Sequence, residues 1–561
     1  MIVFMKDVAF MENILKKKIT EALEAVGIVE VEPMIEYPNE FSHGDFATNA
    51  AMVAAKQADK NPKTLAEELV HAIGEIEGVE NIEVAAPGFI NFTLSREYYS
   101  NVLQNIGINW GKNTALSGKR IIVEYSQPNP FKPFHIGHLM STTVGESISR
   151  LVEFSGANIF RANYQGDIGP HIAKCIWGLQ KKALNPASVA DLGDAYVAGS
   201  AAYEDSAEAK AEIDSINKRL YAHDAELQPV YDAGRATSLA HFDELYTILG
   251  TKFDHLFFES QVAERGVELV REGLAKGIFE ESEGAVVYKG EKKGLHTRVF
   301  ITSQNNPTYE AKEVALAEAK NKVFPYDLNI TTIAVEQDNY FTVVEAALAE
   351  LLPQFAGKYT HIAFGIMQLT GGKMSSRKGN IITGESLVED MRAKALAKME
   401  GRDLGDQKQH VADAVAVSAI KHGILKQARG KNIIFDPEAS LSFEGDSGPY
   451  LQYSYVRAKS VLEKAGGKDT IIYDSVPDKI PAFERLLPRF PSIVLRAAKE
   501  YEPHYVTTYL TELASAFNGW YAEEKIIGSS DEAYKLRTVE AFAHTMKNGL
   551  WLLGIDTPEK M

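Results

Sequence analysis

Residues 129–141 read NPFKPFHIGHLMS, and residues 371–380 read GGKMSSRKGN. The first stretch places His135, Gly137 and His138 just past the apolar run Ile121–Val123. A helix opening there, at the end of a strand, presents free backbone N–H groups and a positive dipole end, a ready site for phosphate. His135 and His138 add donors toward developing negative charge, and Gly137 lets a flat purine lie against the backbone. The second stretch is a glycine-bounded loop in which Lys373, Arg377 and Lys378 are movable cations. Cations that close over a polyphosphate suit nucleotidyl transfer, a reaction run mostly by positioning and charge stabilisation. Taken singly, neither stretch is specific: a histidine pair at this spacing often packs or faces water, and the loop alone reads as a solvated basic turn.

Secondary elements must bring the two stretches together. A strand is expected at Ile121–Tyr125, then a helix through about Glu153, with further strands at Asn158–Tyr164, Ile330–Val335 and His361–Gln368. Residues 180–285, rich in Ala, Glu and Lys at helical spacing, read as a helical insertion between halves of a sheet. The expected strands end in polar clusters, at Ser126–His138, Gln165–Gly169, Glu336–Asn339 and Leu369–Gly379. In an open parallel sheet that edge is where ligands bind, so the clusters are expected to converge on one crevice. Upstream, residues 8–30 and 62–77 carry helical spacing and 82–94 reads as short strands about a Pro-Gly break, with a linker at 111–119. Past about residue 405 the pattern is almost wholly helical.

Composition bounds the rest. The 561 residues are enough for about three to four domains. A hydrophobic share of 45% with 24% charged residues is that of an ordinary globular chain. The single cysteine, Cys175, excludes an internal disulfide framework, and its apolar setting suits a structural thiol in a reducing compartment. The net charge of −17 requires any nucleic-acid partner to meet lysines and arginines gathered on one face; it would also suit a small cationic substrate. The first residues lack a secretory pattern, and no run reaches the roughly 18 apolar residues of a membrane span. The expectation is a cytoplasmic protein with no membrane partner.

The HIGH stretch followed by KMSSRKG, bracketing an α/β region, resembles the class I aminoacyl-tRNA synthetases, and VEYSQPNPFKPFHIGH at 123–138 resembles the extended signature of the arginyl family. HGDFATNAA at 43–51 and APGFINFTL at 86–94 resemble that family's N-terminal domain, and DSGPYLQYSYVRAKSVL at 446–462 with the ending LGIDTPEKM its helical C-terminal domain. The resemblance implies a multidomain α/β fold: a tRNA-contacting α/β domain at 1–112, a Rossmann-like nucleotide-binding catalytic core at 113–404 with its insertion, and an all-helical anticodon-binding domain at 405–561. It implies arginine, ATP and tRNA(Arg) as partners, Mg2+ travelling with ATP without a dedicated protein metal site, and a monomer. Carried onto this sequence, it gives ATP and its transition state to His135, Gly137, His138, Gly166, Asp167 and Gly169, and the mobile loop to Lys373, Met374, Ser375, Arg377 and Lys378. It gives the guanidinium to Glu124, Asn129, Tyr309, Glu313 and Gln337. A guanidinium has five donors and a fixed charge, and forked carboxylates and amide oxygens answer it.

Two departures matter. Glu313 stands where the family commonly has Asp, one methylene shorter, and Ser376 stands where the loop pattern has its second lysine. Lys132, just before HIGH, is the expected replacement for that charge. Other readings stay open. Glu124 can simply pair at a strand end, Tyr309 can be a core aromatic, and Asp338 or Asn339 can face the pocket in place of Gln337. In the C-terminal region Leu451, Tyr455, Ala458 and Leu462 form an apolar stripe, and Gln452, Arg457 and Lys459 lie off it, where they could reach RNA, as could Asn49 near the N-terminus. Shorter HIGH-bearing nucleotidyltransferases lack the long helical C-terminal part, and non-catalytic paralogues tend to lose the HIGH or loop residues present here.

Overall fold

The structure, a computed structural model, describes residues 10–370, 383–401, 404–466, 473 and 476–561. Contacts divide the chain into two units. One comprises Met1–Asn113, Leu451–Arg496 and Thr508–Leu550, and the other Thr114–Tyr450, Ala497–Thr507 and Trp551–Met561.

The second unit is built on a five-stranded parallel sheet, ordered Tyr359–Phe364, Leu328–Ala334, Arg120–Glu124, Asn158–Gln165, His255–Phe258. Numbered along the chain this is 5-4-1-2-3, so the winding reverses between Arg120–Glu124 and Leu328–Ala334. Such a switch point opens a crevice at the carboxyl ends of the two strands. Helices cover both faces, which is why residues 121–123 read as an unbroken apolar run. Ile121 and Val123 pack with Ile148 and Val152 of the helix Ile136–Phe154. Ile122 packs on the other face, among Val262, Val314 and Ala317. Alternation then puts Glu124 on the face of Ile122, toward the helices Glu259–Ala275 and Tyr309–Val323.

The expected strands are present, with two corrections. Residues 180–285 are not wholly helical. After the helices Val189–Asp205, Ala207–Tyr221 and Gln228–Ile248, His255–Phe258 forms the edge strand of the sheet. Glu280–Ser282 and Ala285–Tyr288 then pair with Arg298–Ile301 in a small antiparallel sheet. The HLFF segment is too short for a period-two pattern and runs straight into a helix, so periodicity alone hides it. Second, the apolar run at 361–368 is split: Met367–Leu369 leaves the main sheet and pairs with Ile433–Phe435, a strand inside the region that reads as helical. Cys175 is buried in the insertion core, its thiol donating to the Leu192 carbonyl at 3.3 Å, and burial pushes its pKa up to about 12, as befits a structural thiol.

In the first unit the helices Phe10–Ala25 and Pro62–Ile73 cover an antiparallel sheet ordered Phe46–Thr48, Phe89–Leu94, Val79–Ala85. Leu15, Ile19, Leu65, Leu69, Ile90 and Phe92 are its core. Asn61 caps the second of these helices by accepting from the Lys63 N–H at 2.9 Å, with Pro62 at its first position. Asp45 organises its turn: it accepts from the Leu94 N–H at 2.8 Å and the Tyr99 hydroxyl at 2.5 Å, and pairs with Arg485. Among the described residues no helix is long and apolar enough to cross a membrane.

Candidate active site

The switch point is built from a strained turn. After Glu124 the chain must leave the strand, and Ser126, Gln127 and Phe131 all take left-handed backbone, with φ of 75°, 55° and 65°. Residues other than glycine pay about 1–3 kcal/mol each for such geometry, which persists where surrounding contacts over-determine it. The contacts are present here. The Ser126 N–H donates to Ser141 Oγ at 2.9 Å, and Ser141 shares a hydrogen bond with Thr332 on the opposite strand of the switch point. The Phe131 N–H donates to Ser238 Oγ at 2.9 Å.

This turn delivers the chain to the helix Ile136–Phe154, whose N-cap is His135. His138, 7% exposed, accepts the His135 N–H at Nδ1 over 3.2 Å, and the two rings stack with centroids 3.5 Å apart. Burial, then the neighbouring His135 and Lys132, hold His138 well below its ordinary pKa. His135 keeps an open edge and falls less far, to about 4, through burial and Lys132. Both imidazoles are therefore neutral near pH 7. Since Nδ1 of His138 is the acceptor, its proton sits on Nε2, which can donate outward from the helix terminus. At Gly137 a Cβ would come within 2.9 Å of the His135 ring, so glycine here keeps that ring in place. The Lys132 ammonium lies 5.4 Å from the centroid of the Tyr196 ring.

The loop with Lys373, Met374, Ser375, Ser376, Arg377 and Lys378 lies outside the described residues, but its downstream anchor does not. Thr383 forms a bridge with His135, and the Gly384 N–H donates to the Phe134 carbonyl at 2.8 Å. The chain at Thr383 and Gly384, just past the second stretch, is thus anchored at the helix N-terminus.

On the other side of Glu124 is an acidic pocket. Glu124 is fully buried; it accepts from Gln127 Nε2 at 2.8 Å and is ion-paired with Lys320. Glu259, at the first position of its helix, is ion-paired with Lys312. Glu313 is 7% exposed, and burial, then Glu124, raise its pKa to about 8 against the opposing pull of Lys320. Tyr309 forms a wall: 44% of its surface is open, while burial of its phenol and the carboxylates of Glu259 and Glu313 push its pKa well up. The phenols of Tyr164 and Tyr340 face the same carboxylates, and both hydroxyls are buried without a hydrogen-bond partner. Orphaned polar groups of this kind are rare in a folded core.

Among the sequence-derived candidates, Glu124, Tyr309 and Glu313 come together in this pocket. Asn129 borders it, its Oδ1 accepting from the Gly166 N–H at 3.0 Å, and a Cβ on Gly166 would meet Asn129 at 2.7 Å and Glu259 at 2.9 Å. Gly169, with φ of 131°, opens the next helix, Pro170–Lys182. Three assignments are corrected. Asp167 is fully buried and accepts from the Ser260 N–H and hydroxyl, the Tyr231 hydroxyl and Arg235; with no exposed surface and both oxygens bonded within the fold, it braces the crevice from behind. Gln337 is exposed, its Oε1 accepting from the Ala334 N–H at 3.4 Å, while Tyr340, on the helix that follows, faces the carboxylates. In the first unit Gln452 is fully buried and cannot reach RNA, because the helix Gly448–Lys464 is covered on most of its circumference. Arg457 and Lys459 are half-buried, Arg457 donating to Asn518 at 2.5 Å, and Asn49 is half-buried ahead of the helix Ala50–Ala58. Glu259, Lys312, Lys320, Tyr164 and Tyr340 were not among the candidates. Among the described residues no group of His, Cys, Asp and Glu is arranged to hold a metal ion.

A sheet of this order, with a histidine-bearing helix at its switch point, has the architecture of the class I synthetases, and the comparisons agree. The catalytic-domain model of class I (R) tRNA synthetases matches residues 100–437, the arginyl tRNA synthetase N-terminal domain model 13–94, and the DALR anticodon binding domain model 451–561. An arginine–tRNA ligase of Clostridium perfringens is 32% identical over 97% of this chain and 100% of its own. One from Halothermothrix orenii is 31% identical over 97% of this chain and 98% of its own. Thermus thermophilus arginyl-tRNA synthetase superposes with a TM-score of 0.82 at 25% identity, over 98% of this chain and 100% of that one. The chain belongs to the class I arginyl-tRNA synthetase family.

Proposed function

We propose that this chain is an arginine–tRNA ligase that activates L-arginine with ATP and transfers it to the terminal ribose of tRNA(Arg). The observation that carries the reading is a buried pocket of carboxylates and unpartnered phenols opening beside a phosphate-ready helix terminus. In the first step an arginine carboxylate oxygen attacks the α-phosphorus of ATP and the bond to pyrophosphate breaks. In the second a ribose hydroxyl attacks the carbonyl carbon of the adenylate, AMP leaves, and the hydroxyl proton passes to solvent. The backbone N–H groups at the start of Ile136–Phe154 and the Nε2–H of His138 hold phosphate oxygens as charge develops. His135 shapes that terminus, and Gly166 and Gly169 border the adenosine. Lys132, Lys373, Arg377 and Lys378 supply cations to the phosphates, with Met374 and Ser375 on the same loop. Mg2+ arriving with ATP would neutralise phosphate charge.

Glu313 and Glu124 hold the guanidinium electrostatically, Tyr309 walls it, and Asn129 sets the neighbouring turn. Residues 1–112 and 405–561 bind the tRNA, with Asn49, Arg457 and Lys459 as contacts, and the protein works as a cytoplasmic monomer. The test is ATP–pyrophosphate exchange with each amino acid, with and without tRNA. Exchange is expected with arginine and to depend on tRNA; exchange driven by another amino acid, or by none, sinks the reading.

A further inference from the structure

Four carboxylates face the pocket, and three have a local means of holding negative charge. Glu124, at the end of its strand, is ion-paired with Lys320, which is 1% exposed and comes from the helix Tyr309–Val323. Burial raises the pKa of Glu259, but Lys312 at 5% exposure is ion-paired with it and opposes that shift, and Glu259 sits at its helix N-terminus, where the dipole favours an anion. Glu310 lies in the first turn of Tyr309–Val323 and gains the same support. Glu313 has neither: it lies beyond that first turn, and no described residue reaches it with a hydrogen bond or an ion pair. Its other neighbours are the phenols of Tyr309 on its own helix, Tyr164 on the adjacent strand, Tyr340 on Asp338–Leu351 and Tyr359 on Tyr359–Phe364, all held neutral by burial. An isolated buried carboxylate is costly, whereas its protonated form is not.

Resting on the arginine reading above, we propose that Lys320, Lys312 and the helix terminus beside Glu310 leave one uncompensated carboxyl group, Glu313, and that the arginine guanidinium enters in exchange for the proton this carboxyl carries. The proton passes from the Glu313 carboxyl to solvent buffer, the guanidinium takes over its charge-neutralising role, and the pocket keeps one net charge throughout. Lys320 is then a specificity-determining residue that never touches the substrate's reaction centre. Without it Glu124 would lose its paired cation, and the pocket would set two uncompensated carboxyl groups against a single guanidinium. The raised pKa of Glu313, about 8, agrees with this arrangement.

The experiment is calorimetric titration of the full-length protein with arginine near pH 7, in buffers of different ionisation enthalpy, so that the protons released are counted. Close to one proton per arginine is expected, and the Kd should fall about tenfold for each pH unit gained up to about pH 7 and level off above pH 8. Glu313→Gln should bind arginine more weakly and release almost no proton. Lys320→Met should bind arginine more weakly while still releasing about one proton, because one guanidinium replaces only one; an affinity unchanged from wild type would show that Lys320 does not set the pocket's charge. Should that variant fail to fold, the wild-type count still decides. Tight arginine binding with no proton released overturns the exchange while leaving the arginine pocket intact. An unchanged arginine affinity in Glu313→Gln, or no arginine binding by wild type, overturns the pocket reading itself.

Discussion

His138 carries two jobs on two nitrogens, and substitution can separate them. Nδ1 accepts the His135 N–H at 3.2 Å and so completes the start of the helix, while Nε2–H is free to donate toward phosphate. Asparagine places its amide oxygen near the position of Nδ1 but does not reach that of Nε2. Glutamine reaches the Nε2 position with a donor and leaves the His135 N–H without its acceptor. Losing a helix cap costs about 0.5–2 kcal/mol, and losing one transition-state donor costs about 10²–10³ in kcat. His138→Asn should therefore melt close to wild type with adenylate formation down by about 10²–10³. His138→Gln should keep most of its kcat and lose about 1 kcal/mol of stability. His138→Ala should show both losses. The assay is ATP–pyrophosphate exchange at saturating arginine with tRNA present, beside thermal melts. A His138→Asn variant with wild-type kcat would refute the donor role and leave the imidazole as a cap alone. Because burial holds both histidines neutral, the same kcat should be flat between about pH 6 and 8.

Lys132→Ala should remove most adenylate formation, and Ser376→Lys in that background should restore part of it; near-normal exchange by the single variant would discard the replacement-cation idea. Asp167→Asn should lower the melting temperature, since it weakens a buried pair with Arg235 that also accepts from Ser260 and Tyr231, with little change in the KM for ATP; a large KM effect at unchanged stability would return Asp167 to the ligand. Glu313 has a folded-state pKa raised to about 8, so its neutral form is favoured by folding: the contribution is fully present below the ordinary carboxylate range and is lost as pH rises toward 8. Without arginine, Glu313→Gln should match wild-type stability near pH 4 and exceed it by on the order of a few kcal/mol above pH 8. Denaturant melts across that range are the check, and equal stabilities at both ends would sink the argument.

How far the sequence carries can be judged on particular residues. The strands that flank the switch point were legible because burial on both faces leaves an unbroken apolar run, as at Ile121–Val123. His255–Phe258 was not, because four residues feeding directly into a helix carry no period. Motif context singles out Glu124, Tyr309 and Glu313, which the fold brings together, but not Lys320 beside them, and the reason is physical. YEAKEVALAEAKNKV has the composition of a solvated helix, and the ordinary inference is that its lysines and glutamates face water. In the fold Glu310, Lys312, Glu313 and Lys320 are all buried along with Ala311, Val314 and Ala315. The helix is apolar and charged on inward-facing sides at once, because one side lies on the sheet and another lines the pocket. Reading by amphipathicity assumes that charge seeks solvent; here charge seeks countercharge, and the countercharge is supplied by a strand end far away in sequence. Gln337 failed for the mirror reason. A polar residue just past a strand end was expected to face the crevice, but the chain turns there so that the side chain serves its own backbone, and the tyrosine at 340 takes the inward position. Local rules break down along this one helix because its buried charges answer one another across the pocket, an interior that no sequence pattern would choose for stability alone.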